Sequence, residues 1–230
     1  MAEAQDAQFV SPASEQHVVA THKVLRNTYM LLSVTLLFSA MMAGLAMAVN
    51  APYMGFIPIL IAFGVLFGIY KLQNSAWSIA LVFVFTGILG FSLGPVIGYA
   101  LSTPAGGSTV FTALSLTGMI FLSLSGYTLI TKKDFSFMSG FLMVGLWVVI
   151  GCIILSFVGG LFGLHITGLS LAISAAVVLL MSGFILYDTS RILHGGETNY
   201  VLATVSLYLN IYNLFSALLH LLMAFGGGDD

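Results

Sequence analysis

The sequence contains very little charge. Of its 230 residues, 6% are Asp, Glu, Lys or Arg, whereas 59% are hydrophobic and the mean hydropathy is +1.08. Soluble domains carry about 25% charged residues, which form their hydrated surface. This chain cannot build such a surface, so its composition excludes an ordinary soluble domain. It predicts a protein whose main solvent is the lipid bilayer.

Two further scarcities narrow the possibilities. The single cysteine, Cys152, cannot form a disulfide within the chain, so the fold needs no oxidising compartment. The net charge of −2 argues against a nucleic-acid partner. The first 22 residues contain no Lys or Arg, so we expect no cleavable signal peptide, which would begin with a basic segment.

The apolar residues occur in continuous runs rather than in the alternating pattern of barrel strands. Each run approaches the ~20 residues that a helix needs to cross a bilayer. We therefore predict an all-α integral membrane protein, a seven-helix transmembrane bundle over residues 27–225, with a flexible tail at 1–26 and a short tail at 226–230. The predicted spans are Asn27–Val49, Tyr53–Tyr70, Ala76–Leu101, Gly107–Ile130, Phe137–Gly160, Thr167–Ser190 and Tyr200–Phe225.

The basic residues predict the orientation of the bundle. With seven spans, all six Lys and Arg residues fall on one side of the membrane. Since basic loops face the cytoplasm, we expect a cytoplasmic N-terminus and a C-terminus on the opposite side. The six are Lys23, Arg26, Lys71, Lys132, Lys133 and Arg191.

The third predicted span contains glycine at positions 90, 94 and 98, with Pro95 between them. Proline removes a backbone donor, so this helix should kink or end there, or turn back as a re-entrant segment. The first two glycines also match the G-x-S-x-G pattern around a serine nucleophile, which needs a strand, a histidine and an acid. Because none is present, we interpret these glycines, and the pair Gly64 and Gly68, as close helix-packing positions.

Asp188 is the one acidic residue inside a predicted span. Ionisable groups there are costly and usually face the bundle interior or a water-filled cavity. A simpler alternative is an interfacial carboxylate that pairs with Arg191, three residues further along the same helix face. The sequence leaves both interpretations open.

The seventh span carries a polar stripe. Ser206, Asn210, Asn213 and His220 lie within one arc of a helix with 3.6 residues per turn. Such residues should form hydrogen bonds inside the bundle rather than face lipid. They could join neighbouring helices, or they could line a polar path beside Asp188.

Several of these segments resemble a known family. Phe184–Asp188 (FILYD), Ser206–Asn210 (SLYLN) and His194–Tyr200 (HGGETNY) are similar to the signature of the Bax inhibitor-1 family, also called the transmembrane Bax inhibitor motif family. The resemblance covers nearly the whole chain and is strongest to a bacterial inner-membrane branch that modulates the FtsH protease. It implies that the last helix is central and surrounded by the other six.

The resemblance also implies a candidate ion site. Calcium-leak members of the family use two aspartates, on helices six and seven, as a pH-sensitive gate, with a latching cation on helix two. Asp188 matches the first aspartate, but Asn210 stands at the second position, and an amide cannot share a carboxyl proton. Lys71 is the basic residue near helix two and Arg191 the one near Asp188.

Two functions follow as hypotheses. The first is a non-enzymatic regulatory protein that binds the FtsH protease and offers it the N-terminal tail. The second is a pH-sensitive channel for calcium or protons that uses Asp188, Asn210, Asn213 and Ser206. An intramembrane aspartyl protease would need two carboxylates, so we expect no enzymatic activity, and the scattered histidines predict no metal site and no cofactor.

Overall fold

In the computed structural model, which describes residues 12–163 and 167–226, the protein is a bundle of seven α-helices. No strand occurs in these residues, so the predicted all-α fold is confirmed. A single 3-10 turn, Ser136–Met138, precedes the fifth helix. The helices are α1 Pro12–Ala48, α2 Ile57–Lys71, α3 Trp77–Leu101, α4 Gly106–Thr131, α5 Ser139–Leu161, α6 Thr167–Leu193 and α7 Tyr200–Gly226.

Six of the helices are long and apolar enough to span a bilayer, and α2 is shorter. The predicted second span began at Tyr53, but α2 has only 15 residues, from Ile57 to Lys71. Proline fits only the first turn of a helix, so Pro58 sets the start of α2, and Gly55 turns the preceding chain with φ +57°. At 1.5 Å per residue, α2 is about 22 Å long, below the ~30 Å hydrocarbon thickness.

The first helix begins well before the predicted span. It starts at Pro12 rather than at Asn27, so residues 12–26 of the predicted tail are helical. Proline at the first position suits a helix start because the missing N–H has no partner there. The remainder of that tail, residues 1–11, and the predicted tail at 227–230 lie outside the described residues.

The third helix continues through Pro95 without a break, so the re-entrant alternative is wrong. Its glycines account for this region as predicted. A side chain at Gly90 would collide with the backbone of Ser39, and one at Gly94 would collide with Ala46. These glycines let α3 lie directly against α1. No such role exists at Gly64, where a Cβ would meet nothing within 4 Å.

The seventh helix lies at the centre of the bundle. In its most apolar 18-residue window 56% of residues are buried, against 11% in α5. It packs against α1, α3, α4 and α6, whereas α2 packs on α3 and α5 on α6. The expectation that six helices surround α7 is therefore corrected to four, because two of the most apolar helices take outer positions in lipid.

The basic residues gather at one end of the bundle. The Asn199 amide donates to the carbonyl oxygen of Gln73 at 3.0 Å, which joins the α6–α7 and α2–α3 connections. The ring of His194 contacts the carbonyl oxygen of Lys132 at 3.2 Å, which adds the α4–α5 connection. The start of α1 reaches the same place, since Thr21 lies near Gly195. All six cationic residues lie on or beside these segments.

Candidate functional site

The site begins with a hydrogen bond between the two central polar residues of α6 and α7. The amide nitrogen of Asn210 donates to a carboxylate oxygen of Asp188 at 2.7 Å. Asn210 is 6% exposed, and Asp188 is half-buried, five residues before the end of α6. Bonds to an ionised acceptor are about twice as strong as neutral ones. The structure therefore gives Asp188 an amide partner within the bundle.

The other members of the predicted stripe do not join this pair. The amide of Asn213 donates to the Leu209 carbonyl of its own helix at 2.8 Å. Ser206 is half-buried and has no side-chain hydrogen bond with a described residue. His220 meets Ser174 of α6 at 2.9 Å, far along the helix from Asp188. The stripe faces α6 at separate points and forms no continuous chain of hydrogen bonds.

Neither candidate cation contacts Asp188. Arg191 forms an ion pair with Glu197 at 3.3 Å, the one ion pair among the described residues, and donates to the Gly196 carbonyl. The ammonium of Lys71 lies 4.7 Å from the ring centre of Phe67, a cation–π distance. Both cations are therefore engaged with neighbours on their own segments, and Asn210 is the partner of Asp188.

A second polar cluster lies on the opposite face of α7 and was not predicted. The hydroxyl of Tyr208 donates to the Thr86 carbonyl at 3.2 Å and accepts from Ser39 at 2.7 Å. One turn further, Tyr212 meets the hydroxyl of Ser92 at 3.2 Å. These contacts join α7 to α1 and α3 across more than 100 residues of sequence. A buried tyrosine hydroxyl needs a hydrogen-bond partner, but the sequence pattern does not show which residue provides it.

The connection between α6 and α7 is held in place by hydrogen bonds and an ion pair and is more than a solvated turn. The side chain of Asn199 caps α7 by accepting from the Val201 N–H at 2.9 Å, as asparagine commonly does at a helix start. Glu197 accepts from the Asn199 N–H while it pairs with Arg191. Ser190 accepts from the Phe135 N–H at 2.9 Å. Together with the bond from Asn199 to Gln73, these bonds hold three connections in one surface.

Among the side chains that the structure describes, those of residues 19–163 and 168–226, no three of His, Cys, Asp or Glu come together as metal ligands. Asp188 and Asn210 would offer three side-chain oxygens to a cation, whereas calcium takes six to eight. The pair can therefore hold one carboxylate charge inside the bundle.

Similar proteins point to one family. Residues 21–227 match the family model described as "Inhibitor of apoptosis-promoting Bax1". The chain is 46% identical to an uncharacterized protein of Pseudomonas aeruginosa, over 98% of this chain and 99% of that protein. It is also 46% identical to the "Modulator of FtsH protease YccA" of Escherichia coli K12, over 89% and 91% of the two chains. The counterpart in E. coli O6:H1, at the same identity, is described as "Inner membrane protein YccA".

Proposed function

This chain belongs to the family of that model, the Bax1-I family, and we propose that it is an inner-membrane regulatory protein that binds and modulates an FtsH-type membrane protease. One observation carries the proposal. The chain shares 46% identity with the FtsH modulator of E. coli over about nine-tenths of both proteins.

We place the end of the bundle that carries the six cations in the cytoplasm. The positive-inside rule supports this orientation, since Lys71, Lys132 and Arg191 follow three different spans and share one end. The N-terminus is then cytoplasmic and the C-terminus periplasmic. A reporter enzyme that is active only in the cytoplasm should work at the N-terminus and fail at the C-terminus. Activity at both ends would contradict an odd number of crossings.

The cytoplasmic end offers a rigid surface with a projecting helix. Hydrogen bonds tie the three cytoplasmic connections to one another. From this surface α1 extends beyond the predicted start of its span, Asn27, to Pro12. These fifteen residues add about 22 Å of helix, and residues 1–11 precede them. We propose that this segment and the surface around it meet the cytoplasmic part of the protease.

Co-purification tests the binding. Tagged full-length chain, extracted from bacterial membranes, should bring down the FtsH protease, identified by antibody. Deletion of residues 2–11 leaves α1 whole and should reduce the recovered protease several-fold. Deletion of residues 227–230, at the opposite end of the bundle, should leave recovery unchanged. Absence of the protease from every preparation, even after cross-linking, would refute the proposed partner.

Modulation has a separate readout. Raising the amount of this chain should change the lifetime of a membrane substrate of the protease, and the chain without residues 2–11 should change it less. The chain's own lifetime should increase on deletion of Met1–Gln16 if the protease engages that end, since exposed termini are preferred sites of proteolysis. If the protease still co-purifies but the lifetime of its substrate does not change, this chain binds the protease without modulating it.

A pH-sensitive cation leak is the second candidate, favoured by the placement of Asp188 within a span. Intramembrane carboxylates commonly mark ion pathways, and calcium and protons are the candidate ions. Wild-type protein in liposomes should then pass cations, and Asp188→Asn should abolish the flux. Lack of flux in wild-type liposomes between about pH 5 and 8 would eliminate this candidate and leave the first one standing.

A further inference from the structure

A crease of about 310 Å³ lies at the cationic end of the bundle, outside the Asp188 site. Three segments form it: the first cytoplasmic turns of α1, the residue that follows α4, and the end of α6. Its polar rim and its apolar wall come from different side chains. The rim carries Thr21, His22, Lys132 and His194, and the wall is formed by Leu25 and Leu193.

The backbone of Lys132 is in a strained conformation that brings its side chain to this crease. Lys132 ends α4 with φ 52°, in the left-handed region, which is the position where helices usually place glycine. A side chain there costs on the order of 1 kcal/mol or more relative to glycine. Strain of this kind is characteristic of functional positions. The lysine is therefore a candidate for a role that glycine could not fill.

His194 fixes the backbone of Lys132 at the end of α6. Its Nδ1 lies 2.9 Å from the carbonyl oxygen of Ser190, and its Nε2 lies 3.2 Å from the carbonyl oxygen of Lys132. The ring therefore bridges the end of α6 and the residue that ends α4. The Lys132 side chain is thereby kept at the crease.

The Lys132 ammonium is not neutralised within the described part of the chain. No carboxylate lines the crease among the described residues, and the side chains of His22 and Lys132 have no hydrogen bond or ion pair there. Two neighbouring cations are engaged elsewhere. Arg191 pairs with Glu197, and the ammonium of Lys133 lies near the ring and hydroxyl of Tyr127. Lys132 therefore remains available to an external anion.

We propose that this crease binds the phosphate group of an anionic phospholipid from the surrounding leaflet. The phosphate sits between Lys132 and His22, and the Thr21 hydroxyl provides a further donor. A lipid is favoured over free phosphate because Leu25 and Leu193 form an apolar wall that suits the glycerol and the first acyl carbons. The site also lies where α4 and α6 end, at headgroup depth. Basic pockets between transmembrane helices bind anionic headgroups in this way.

Lipid retention by the purified full chain in detergent tests the proposal. Wild-type protein should bind phosphatidylglycerol at least about fivefold more tightly than phosphatidylcholine in native mass spectrometry, because the choline cation offsets the phosphate charge of phosphatidylcholine near Lys132. Lys132→Gly should remove about fivefold of that preference. The same variant should unfold at the same or a higher temperature than wild type, because glycine relieves the positive φ. A variant that binds the lipid more weakly but does not unfold earlier has lost a ligand contact rather than its fold.

Lys133→Gln is the matched control, because it removes the same charge from the next residue, which faces Tyr127 instead. Its preference for phosphatidylglycerol should stay within about twofold of wild type. Equal losses in the two variants would show diffuse surface charge and overturn the site. Displacement of the lipid by millimolar inorganic phosphate would show a free-phosphate site and overturn the lipid assignment. The test does not depend on the protease.

Discussion

Asp188 and Asn210 form a 2.7 Å hydrogen bond between α6 and α7, in which the amide of α7 donates to the carboxylate of α6. The amide contributes a donor and no charge to the pair. Asp188 is thereby stabilised as a single carboxylate, in a bundle where the nearby Arg191 is committed to Glu197.

Removal of the amide should destabilise the protein. Asn210→Leu leaves a carboxylate within the bundle without its donor, which should cost about 2 kcal/mol of unfolding free energy. Asn213→Leu is the matched control, because the Asn213 amide bonds only to its own helix, and it should cost less than about 0.5 kcal/mol. Unfolding in mixed SDS micelles measures both. Equal losses would mean that the bond between the helices contributes little.

Asn210→Asp should make stability depend on pH. The substitution places two carboxylates at hydrogen-bond distance, where two charges repel strongly. The variant should unfold at a lower temperature at pH 8 than at pH 5, and by a larger margin than wild type. Asn213→Asp, which lies one turn further from Asp188, should show a weaker dependence. A variant as stable at pH 8 as at pH 5 would mean that the two side chains separate.

The Tyr208 hydroxyl should contribute more to stability than the Tyr212 hydroxyl. Tyr208 is 1% exposed, and its hydroxyl joins Ser39 at 2.7 Å to the Thr86 carbonyl. Tyr208→Phe leaves both partners buried and should cost about 1–2 kcal/mol. Tyr212→Phe should cost less, because its partner Ser92 keeps a 2.7 Å bond to the Leu89 carbonyl. Thermal unfolding in detergent distinguishes the two, and the reverse order would contradict this assignment.

Much of the fold follows from composition and periodicity. Runs of about 20 apolar residues have few alternatives in lipid, so the helix count and most boundaries are predictable. The central position of α7 is consistent with its polar stripe. The start of α1 is not predictable in this way, because helix outside the membrane carries no apolar signal. The opposite error occurred at α2, where the apolar residues before Ile57 were predicted to be helical and are not.

The partners of the buried polar groups are the part that sequence cannot supply. Asp188 could have paired with Arg191 three residues away, yet it bonds to Asn210 on the next helix. Ser39 and Tyr208 are 169 residues apart. Such pairs depend on how each helix is rotated about its axis and shifted along it, and close packing between the helices sets both. The spacing of residues along one helix determines neither the rotation nor the shift, whereas the cap at Asn199 is local and could have been recognised.

Asp134 should titrate below its ordinary range. The Ser136 hydroxyl donates to its carboxylate at 2.6 Å and the Ser136 N–H at 2.8 Å, and these bonds lower the pKa of Asp134 from 3.8. A lowered pKa in the folded state stabilises the fold above pH 3.8, and this contribution is lost as the pH falls through the lowered value. Carboxyl NMR should give a midpoint below 3.8, and Ser136→Ala should raise it. A wild-type midpoint at or above 3.8 would show that the loop is open.

The contact between α1 and α3 should be intolerant of even one methyl group. In Gly90→Ala the new Cβ would collide with the backbone of Ser39, which belongs to a helix and cannot rotate away. Overpacking of this kind costs about 1–3 kcal/mol. Gly64→Ala makes the same chemical change where a Cβ meets nothing within 4 Å, so it should be neutral or slightly stabilising. Unfolding in SDS micelles compares the two.

The same collision should weaken the bond between Ser39 and Tyr208, because Ser39 must shift to make room. If so, Gly90→Ala and Tyr208→Phe disrupt one shared contact, and their costs should add to more than the cost of the double variant by at least about 0.5 kcal/mol. Gly94→Ala, which collides with Ala46 on the next turns of α1 and not with Ser39, provides the comparison and should be closer to additive with Tyr208→Phe. Full additivity at Gly90 would mean that α1 accommodates the methyl group without moving Ser39 away from Tyr208. In that case the glycines would set the separation of the helices without positioning the hydroxyls of α7.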